Sequence, residues 1–257
     1  MKVSSKNIIL TGALVLGIVG MASIGTAMAE DKPEADLTVG VYSQYIWRGF
    51  ELSKDSIVIQ PSMTVAYKGF GFNLWGNLDT DMDPAFFGTT GNKWNETDIT
   101  LSYDNSYKMV NYGIGYIYYA LDSAWGVSKD PQEIYGTLGL DVLLAPTFSI
   151  YWDITSIATT YYTLGISHSF PLSEKMSLEL GAQGSYLEDD KNNYSALHDG
   201  ILSLALPYSV NDYLSVAAEL NWSFALSSDA ETLLQAASVS GTDDSFIYGG
   251  LSASFAF

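Results

Sequence analysis

Residues 214–224 run Leu214, Ser215, Val216, Ala217, Ala218, Glu219, Leu220, Asn221, Trp222, Ser223, Phe224. The even positions are apolar throughout, while Ser215, Glu219 and Asn221 sit on the odd ones. Successive side chains of a strand point to opposite faces, so this alternation predicts a β-strand with one apolar and one polar side. The single charge, Glu219, falls on the polar side. Eleven further segments read the same way, at 37–47, 57–67, 70–78, 98–103, 110–118, 133–142, 148–155, 162–170, 176–186, 202–208 and 247–257. In none of the twelve does Asp, Glu, Lys or Arg fall on the apolar parity. An Arg or Lys at mid-bilayer on a lipid face costs about 2–4 kcal/mol, so a lipid-facing surface enforces such an empty tally.

Charge exclusion alone fits a soluble β-sandwich equally well, and the connections decide between the two. Short links at 68–69, 105–108, 145–147, 171–175 and 210–213 alternate with long polar ones at 49–55, 79–95, 121–132, 187–199 and 225–245. Only 156–160 is short on the long-loop side. This alternation belongs to an up-and-down outer-membrane barrel, with turns in the periplasm and loops outside; a Greek-key sandwich has no reason to alternate. The fold expected is therefore an all-β, 12-stranded antiparallel transmembrane barrel. Tyr45, Trp47, Tyr67, Phe70, Trp222, Phe224 and Phe255 lie at strand ends on the apolar parity, where aromatic girdles meet the membrane–water boundaries. Pro61 inside a strand predicts a bulge, because it lacks a ladder donor. His168 falls on the lipid parity near the periplasmic end, and 230–239 reads as a short helix.

The segment preceding these strands is a targeting signal. Lys2 and Lys6 form its positive end, an apolar run follows over 8–18, and Ala27, Met28 and Ala29 supply a small-x-small cleavage pattern before Glu30. The expected organisation is a cleaved signal over 1–29, a periplasmic segment over 30–36 and a barrel over 37–257, exported to the outer membrane of a Gram-negative cell. The formal net charge is −18, and Lys2 and Lys6 leave with the signal, so the remainder is more acidic still. Such a chain repels nucleic acid. With no cysteine, the sheet itself must supply the stability. Aromatics make up 14% of the chain, yet no stretch after Glu30 approaches the roughly 20 apolar residues of a membrane helix, so any membrane crossing falls to strands.

Candidate chemistry is sparse. Barrel hydrolases that pair His and Ser two apart place base and nucleophile on one strand face, but the positions flanking His168 by two are Ile166 and Phe170. His198 is expected in a loop beside Asp199. No catalytic residue, metal site or cofactor is therefore expected, and the chain reads as a non-enzyme. Asp79, Asp81 and Asp83 begin like a calcium loop, but Pro84 and Thr90 stand where the turn Gly and the bidentate Glu belong.

The polar parity offers more. Asp98, Glu133, Asp141, Asp153, Glu179 and Glu219 are expected to line the lumen, opposed by Arg48, the chain's only arginine. A surplus of carboxylates in a confined passage concentrates cations and excludes anions. Arg48 is expected to pair with one or more of them, because an isolated charge inside a narrow barrel is costly.

Tyr45, Ile46, Trp47, Arg48, Gly49 and Ser53, then Ile59, Gln60 and Pro61, then Gly71, Phe72, Leu74, Trp75, Gly76 and Asn77 resemble the opening strands of the TorF-type family of outer-membrane porins. The resemblance covers residues 42–79. It implies a pore-forming barrel, with Arg48 and Gly49 marking the extracellular mouth of the first strand and Trp75 and Asn77 facing inward; it brings no catalytic residues. The chain ends on an aromatic strand at Phe257, which resembles the C-terminal signature of outer-membrane barrels read by the barrel-assembly machinery. The expected function is passive diffusion of small polar or cationic solutes, with outer-membrane lipid and lipopolysaccharide as surroundings. The alternatives are a non-conducting surface barrel and an outer-membrane lipid-modifying enzyme.

Overall fold

The computed structural model describes residues 32–83, 91–122, 129–155 and 158–257. The expected signal over 1–29 lies outside them, as does part of the Asp79-to-Thr90 loop.

The strands are β1 (Glu34–Tyr42), β2 (Ile46–Trp47), β3 (Phe50–Glu51), β4 (Val58–Tyr67), β5 (Phe70–Asp79), β6 (Lys93–Tyr107), β7 (Val110–Leu121), β8 (Gln132–Leu140), β9 (Thr147–Asp153), β10 (Thr159–Pro171), β11 (Ser177–Asp189), β12 (Tyr194–Ser209), β13 (Leu214–Ala225) and β14 (Ser245–Ala256). A helix, Ser228–Ala237, precedes β14. All strands except β2 and β3 join one closed antiparallel barrel, in which every long strand pairs with its chain neighbours and β1 pairs with both β4 and β14. The twelve-stranded up-and-down barrel read from the alternation is the fold found. At the seam Leu37 faces Phe255 and Val41 faces Leu251, while the inward hydroxyls of Thr38 and Ser254 meet at 2.7 Å.

Parity sorts the two faces as expected. Leu101, Ile114, Leu164, Leu220 and Leu251 are each more than half exposed, on strands spread around the wall. Monomeric soluble proteins rarely expose apolar surface on this scale, whereas a bilayer covers it. Beneath them the inward face is polar: Thr100, Thr163, Ser203, Asn221 and Ser223 are all buried.

The tight turn after β4 is built by Lys68 and Gly69, with φ of 51° and 87°. Positive φ at both central residues matches the right-handed twist of the flanking strands. Pro61 introduces no bulge. The β1–β4 register runs unbroken through Val39 opposite Pro61, and toward β5 the ladder skips Gln60 and Pro61 while keeping its register. The missing donor is absorbed by leaving those residues unpaired on the β5 side alone. The irregularities lie instead between Asn77 and Leu78 of β5 and between Gly184 and Tyr186 of β11.

The first strand differs most from its sequence reading. β1 leaves the wall after Tyr42, and residues 43–56 turn into the barrel instead of extending outward. Tyr45 and Trp47 therefore join no lipid girdle. Tyr45 is buried against Trp75 at 5.6 Å between ring centroids, and Trp47 meets Tyr119 edge-on at 6.2 Å.

Candidate functional site

The inward-folded segment is a short hairpin whose strands are β2 and β3, closed by Arg48 and Gly49. Both have positive φ, 51° and 79°, the requirement of a two-residue turn of this hand. Apolar side chains keep the hairpin inside: Ile46 packs with Phe246 and Tyr248, and Tyr45 with Tyr42 and Val58. Burial, and then the carboxylates Glu96 and Asp98 in front of it, push the Tyr45 phenol well above its ordinary value.

Polar bonds fix the base of the hairpin. The Tyr45 amide donates to Ser53 Oγ at 2.7 Å, and the Leu52 amide to the Tyr45 carbonyl at 2.8 Å. Glu51 accepts from Gln44 Nε2 at 2.7 Å and from the Val239 amide at 2.8 Å, which ties the hairpin to the end of the helix. That helix is N-capped by Ser227, whose hydroxyl accepts from the Ala230 amide, and it buries Ala230 and Leu234. Leu234 lies so close to Gly49 that a β-carbon there would sit 3.0 Å from it.

Arg48 carries the hairpin into the wall. Its Nη1 and Nη2 donate to Glu133 Oε1 and Oε2 at 2.8 and 2.7 Å, a bidentate pair with both side chains almost fully buried. Tyr119 also donates to Oε2 of that carboxylate, at 2.8 Å. The guanidinium carbon lies 4.5 Å from the Trp47 ring, 4.9 Å from Tyr151 and 4.5 Å from Tyr161. A planar cation between ring faces gains cation–π attraction in addition to its paired hydrogen bonds.

His198 holds the backbone of the same residue. Its Nε2 is 3.0 Å from the Arg48 carbonyl, which can only accept, so Nε2 carries the proton and Nδ1 accepts from Tyr194 Oη at 2.9 Å. The sequence places His198 in a loop, but β12 begins at Tyr194 and puts it wholly inside. The bulge between Gly184 and Tyr186 makes this possible. Residues 198 and 199 both stand opposite Ser185, so His198 and its neighbour Asp199 turn inward together. Asp199 accepts from Tyr161 Oη at 2.8 Å and from the Ser185 hydroxyl. Ser185 thus engages the carboxylate and not the imidazole.

Of the residues expected to line the lumen, Arg48, Asp98, Glu133, Asp153 and Glu219 are buried on the inward face, and Glu179 is half-buried there. Glu219 accepts from Ser252 at 2.9 Å and from Tyr42 at 3.3 Å. Asp153 caps the segment after β9 through the Thr155 amide and hydroxyl, both at 2.8 Å. Asp98 is fully buried, with both carboxylate oxygens accepting no hydrogen bond from the described residues. Asp141 is the exception. β8 ends at Leu140, and Asp141 stands exposed in the turn that follows, so it lines nothing. Arg48 and Gly49 belong to the first extracellular connection but project back into the barrel interior and do not stand at its rim.

The site residues missed by the sequence reading are Tyr119, Tyr135, Tyr151 and Tyr161, with Glu96, Ser185 and Asp199. The tyrosines occupy the inward parity of β7, β8, β9 and β10, with Tyr151 directly opposite Tyr135 on one side and Tyr161 on the other. The signal lies in that parity, but a rule that gives aromatic residues to the lipid side alone passes over it.

No protein-family model matches the chain, and no curated protein matches it in sequence. Solved structures match it in fold. The NanC porin is 10% identical with a TM-score of 0.55, covering 86% of this chain and 98% of its own. The COG4313 outer membrane channel from Pseudomonas putida F1 is 9% identical with a TM-score of 0.53, covering 88% and 95%. LpxR from Salmonella typhimurium is 9% identical with a TM-score of 0.48, covering 86% and 99%. The chain is an outer-membrane β-barrel of porin-like architecture, located in the outer membrane. The reading of the chain as a non-enzyme is corrected here: a barrel architecture hosts catalytic and non-catalytic proteins alike, so neither this fold nor the absence of a same-face Ser–His pair at His168 excludes catalysis.

Proposed function

We propose that this barrel is a porin-like channel for passive diffusion of small polar or cationic solutes, narrowed at its extracellular end by the hairpin of residues 43–56. One observation carries the reading. Among the described residues, the only inward carboxylate within ion-pair distance of a basic side chain is Glu133, whose partner is Arg48. The carboxyl groups of Glu96, Asp98, Asp153, Glu179 and Glu219 have no basic partner among the described residues, and those that are ionised concentrate cations and repel anions. The resemblance of residues 42–79 to the TorF-type porins supports the same reading, as do the porin and channel structures of similar fold.

Planar-bilayer recording of the refolded full chain tests it. Channel openings with a reversal potential set by the cation are the expected result. A reversal potential favouring chloride defeats the cation preference. Persistent silence in bilayers and in liposome-swelling assays instead favours a sealed barrel, in which the hairpin packing closes the lumen permanently.

A further inference from the structure

The wall residues that hold Arg48 form a site in their own right. Glu133, Tyr151 and Tyr161 come from the consecutive strands β8, β9 and β10, and Tyr119 from the adjoining β7. Tyr135, Tyr151 and Tyr161 are cross-strand neighbours with ring centroids 5.6 and 6.2 Å apart, so the aromatic surface is assembled without help from the hairpin. Tyr119 fixes the Glu133 carboxylate from the wall side. The hairpin contributes only the occupant, Arg48, and the Trp47 ring beside it. What remains after subtracting the hairpin is an inward carboxylate with two acceptor oxygens, one of them also bonded by Tyr119, flanked by two tyrosine faces. That combination suits a planar, fork-shaped cation better than a compact ammonium, which cannot use both oxygens and two ring faces at once.

We propose that Glu133, Tyr119, Tyr151 and Tyr161 form a binding site for guanidinium-type cations, which Arg48 occupies from within the chain, and that a solute bearing such a group passes by displacing Arg48. The choice of solute rests on the channel reading above, whereas the site itself rests on the cage geometry. Because the packed hairpin holds Arg48 in position, it competes as a preorganised internal ligand. In the intact chain, a free cation must overcome that competition. In Arg48→Ala the cage is open to ligand, and its carboxylate, left without a countercharge, strengthens the demand for a cation.

Calorimetric titration of the refolded full barrel with ethylguanidinium and with ethylammonium tests the site. Heat-modifiable mobility and circular dichroism confirm that each variant has folded. Arg48→Ala is expected to bind ethylguanidinium saturably, roughly tenfold or more tighter than ethylammonium, the worth of one charge-assisted hydrogen bond. Wild type should bind it at least about tenfold more weakly, as internal competition requires. Arg48→Ala/Glu133→Gln should bind neither. Equal affinity for the two cations, or binding that survives loss of the carboxylate, overturns the proposal. If Arg48→Ala does not fold, wild-type bilayer currents decide. Ethylguanidinium should raise conductance beyond an equal concentration of ethylammonium, and identical currents overturn the site. Binding with silent bilayers supports the cage and defeats the channel reading. Open channels without guanidinium preference do the reverse.

Discussion

Arg48 and Glu133 lie 85 residues apart in the chain, yet two parallel hydrogen bonds of 2.8 and 2.7 Å join the guanidinium to both oxygens of the carboxylate. The pair links a connection to the wall and replaces water at both charges. It holds the hairpin against the wall by electrostatics that function only when both partners are present.

Removing one partner exposes that dependence. Glu133→Gln leaves a buried guanidinium without its countercharge, at a cost of about 3–5 kcal/mol if nothing moves. The hairpin is expected to leave the lumen to avoid that cost. Single-channel conductance should rise, while the urea midpoint of the barrel, set by its strand ladders, should change little. Unchanged conductance in a folded variant contradicts the latch.

Gly49 gives a second handle on the same element. It combines a φ of 79° with two neighbours, Asp199 Cβ and Leu234 Cδ1, each 3.0 Å from the point a β-carbon would occupy. Gly49→Ala therefore meets both the left-handed backbone penalty of about 1–2 kcal/mol and a clash against the helix. Gly241→Ala has a similar φ of 74° but nothing within 4 Å. Limited proteolysis should cut the hairpin faster in the first variant than in the second; equal rates show that the packing against Leu234 is unimportant.

The lipid assignment predicts a directional effect. Leu220, at the middle of β13, is 51% exposed, and Leu220→Arg should destabilise the barrel by about 2–4 kcal/mol in urea unfolding from bilayers. Asn192→Arg, at an exposed turn, should fall within about 0.5 kcal/mol of wild type. Comparable losses at both positions contradict a bilayer-facing surface on β13.

Acidity should tighten the closure through Glu51. Burial raises this carboxyl above its ordinary value of 4.5, against the lowering effects of the Val239 amide and Lys54. A raised value in the closed state means that closing takes up a proton. The contribution is thus fully present below the released-hairpin value and is lost as pH rises through the closed-state value. Open probability should fall as pH drops into that range, and Glu51→Gln should flatten this part of the dependence; an unaltered profile in the variant assigns it to other groups.

Much of the architecture was legible because the membrane imposes a strict rule on one parity. A residue such as Leu220 has to be apolar, and Glu219 beside it has to face the interior. The lumen was less legible because it obeys no single rule. Tyr151 and Tyr161 are as apolar as girdle residues, yet they face inward, where a cation and not lipid covers them. Trp47 kept the alternating parity after β1 had already left the wall, since a period of two cannot report that hydrogen-bonded pairing has stopped. His198 and Asp199 needed the Gly184–Tyr186 bulge, a displacement of one residue that alternation treats as noise. Asp141 failed for the opposite reason: it keeps the inward parity one position beyond the end of β8.

The pairing of β1 with β14 has a consequence for biogenesis. Until residues 245–256 have been delivered, Glu34–Tyr42 has no second neighbour, and the nascent sheet carries two open margins able to recruit foreign strands. Contacts that span nearly the whole polypeptide form slowly, so the unfinished sheet is exposed to aggregation for a correspondingly long time. The wall therefore has no closed form until its first and last strands are both in place.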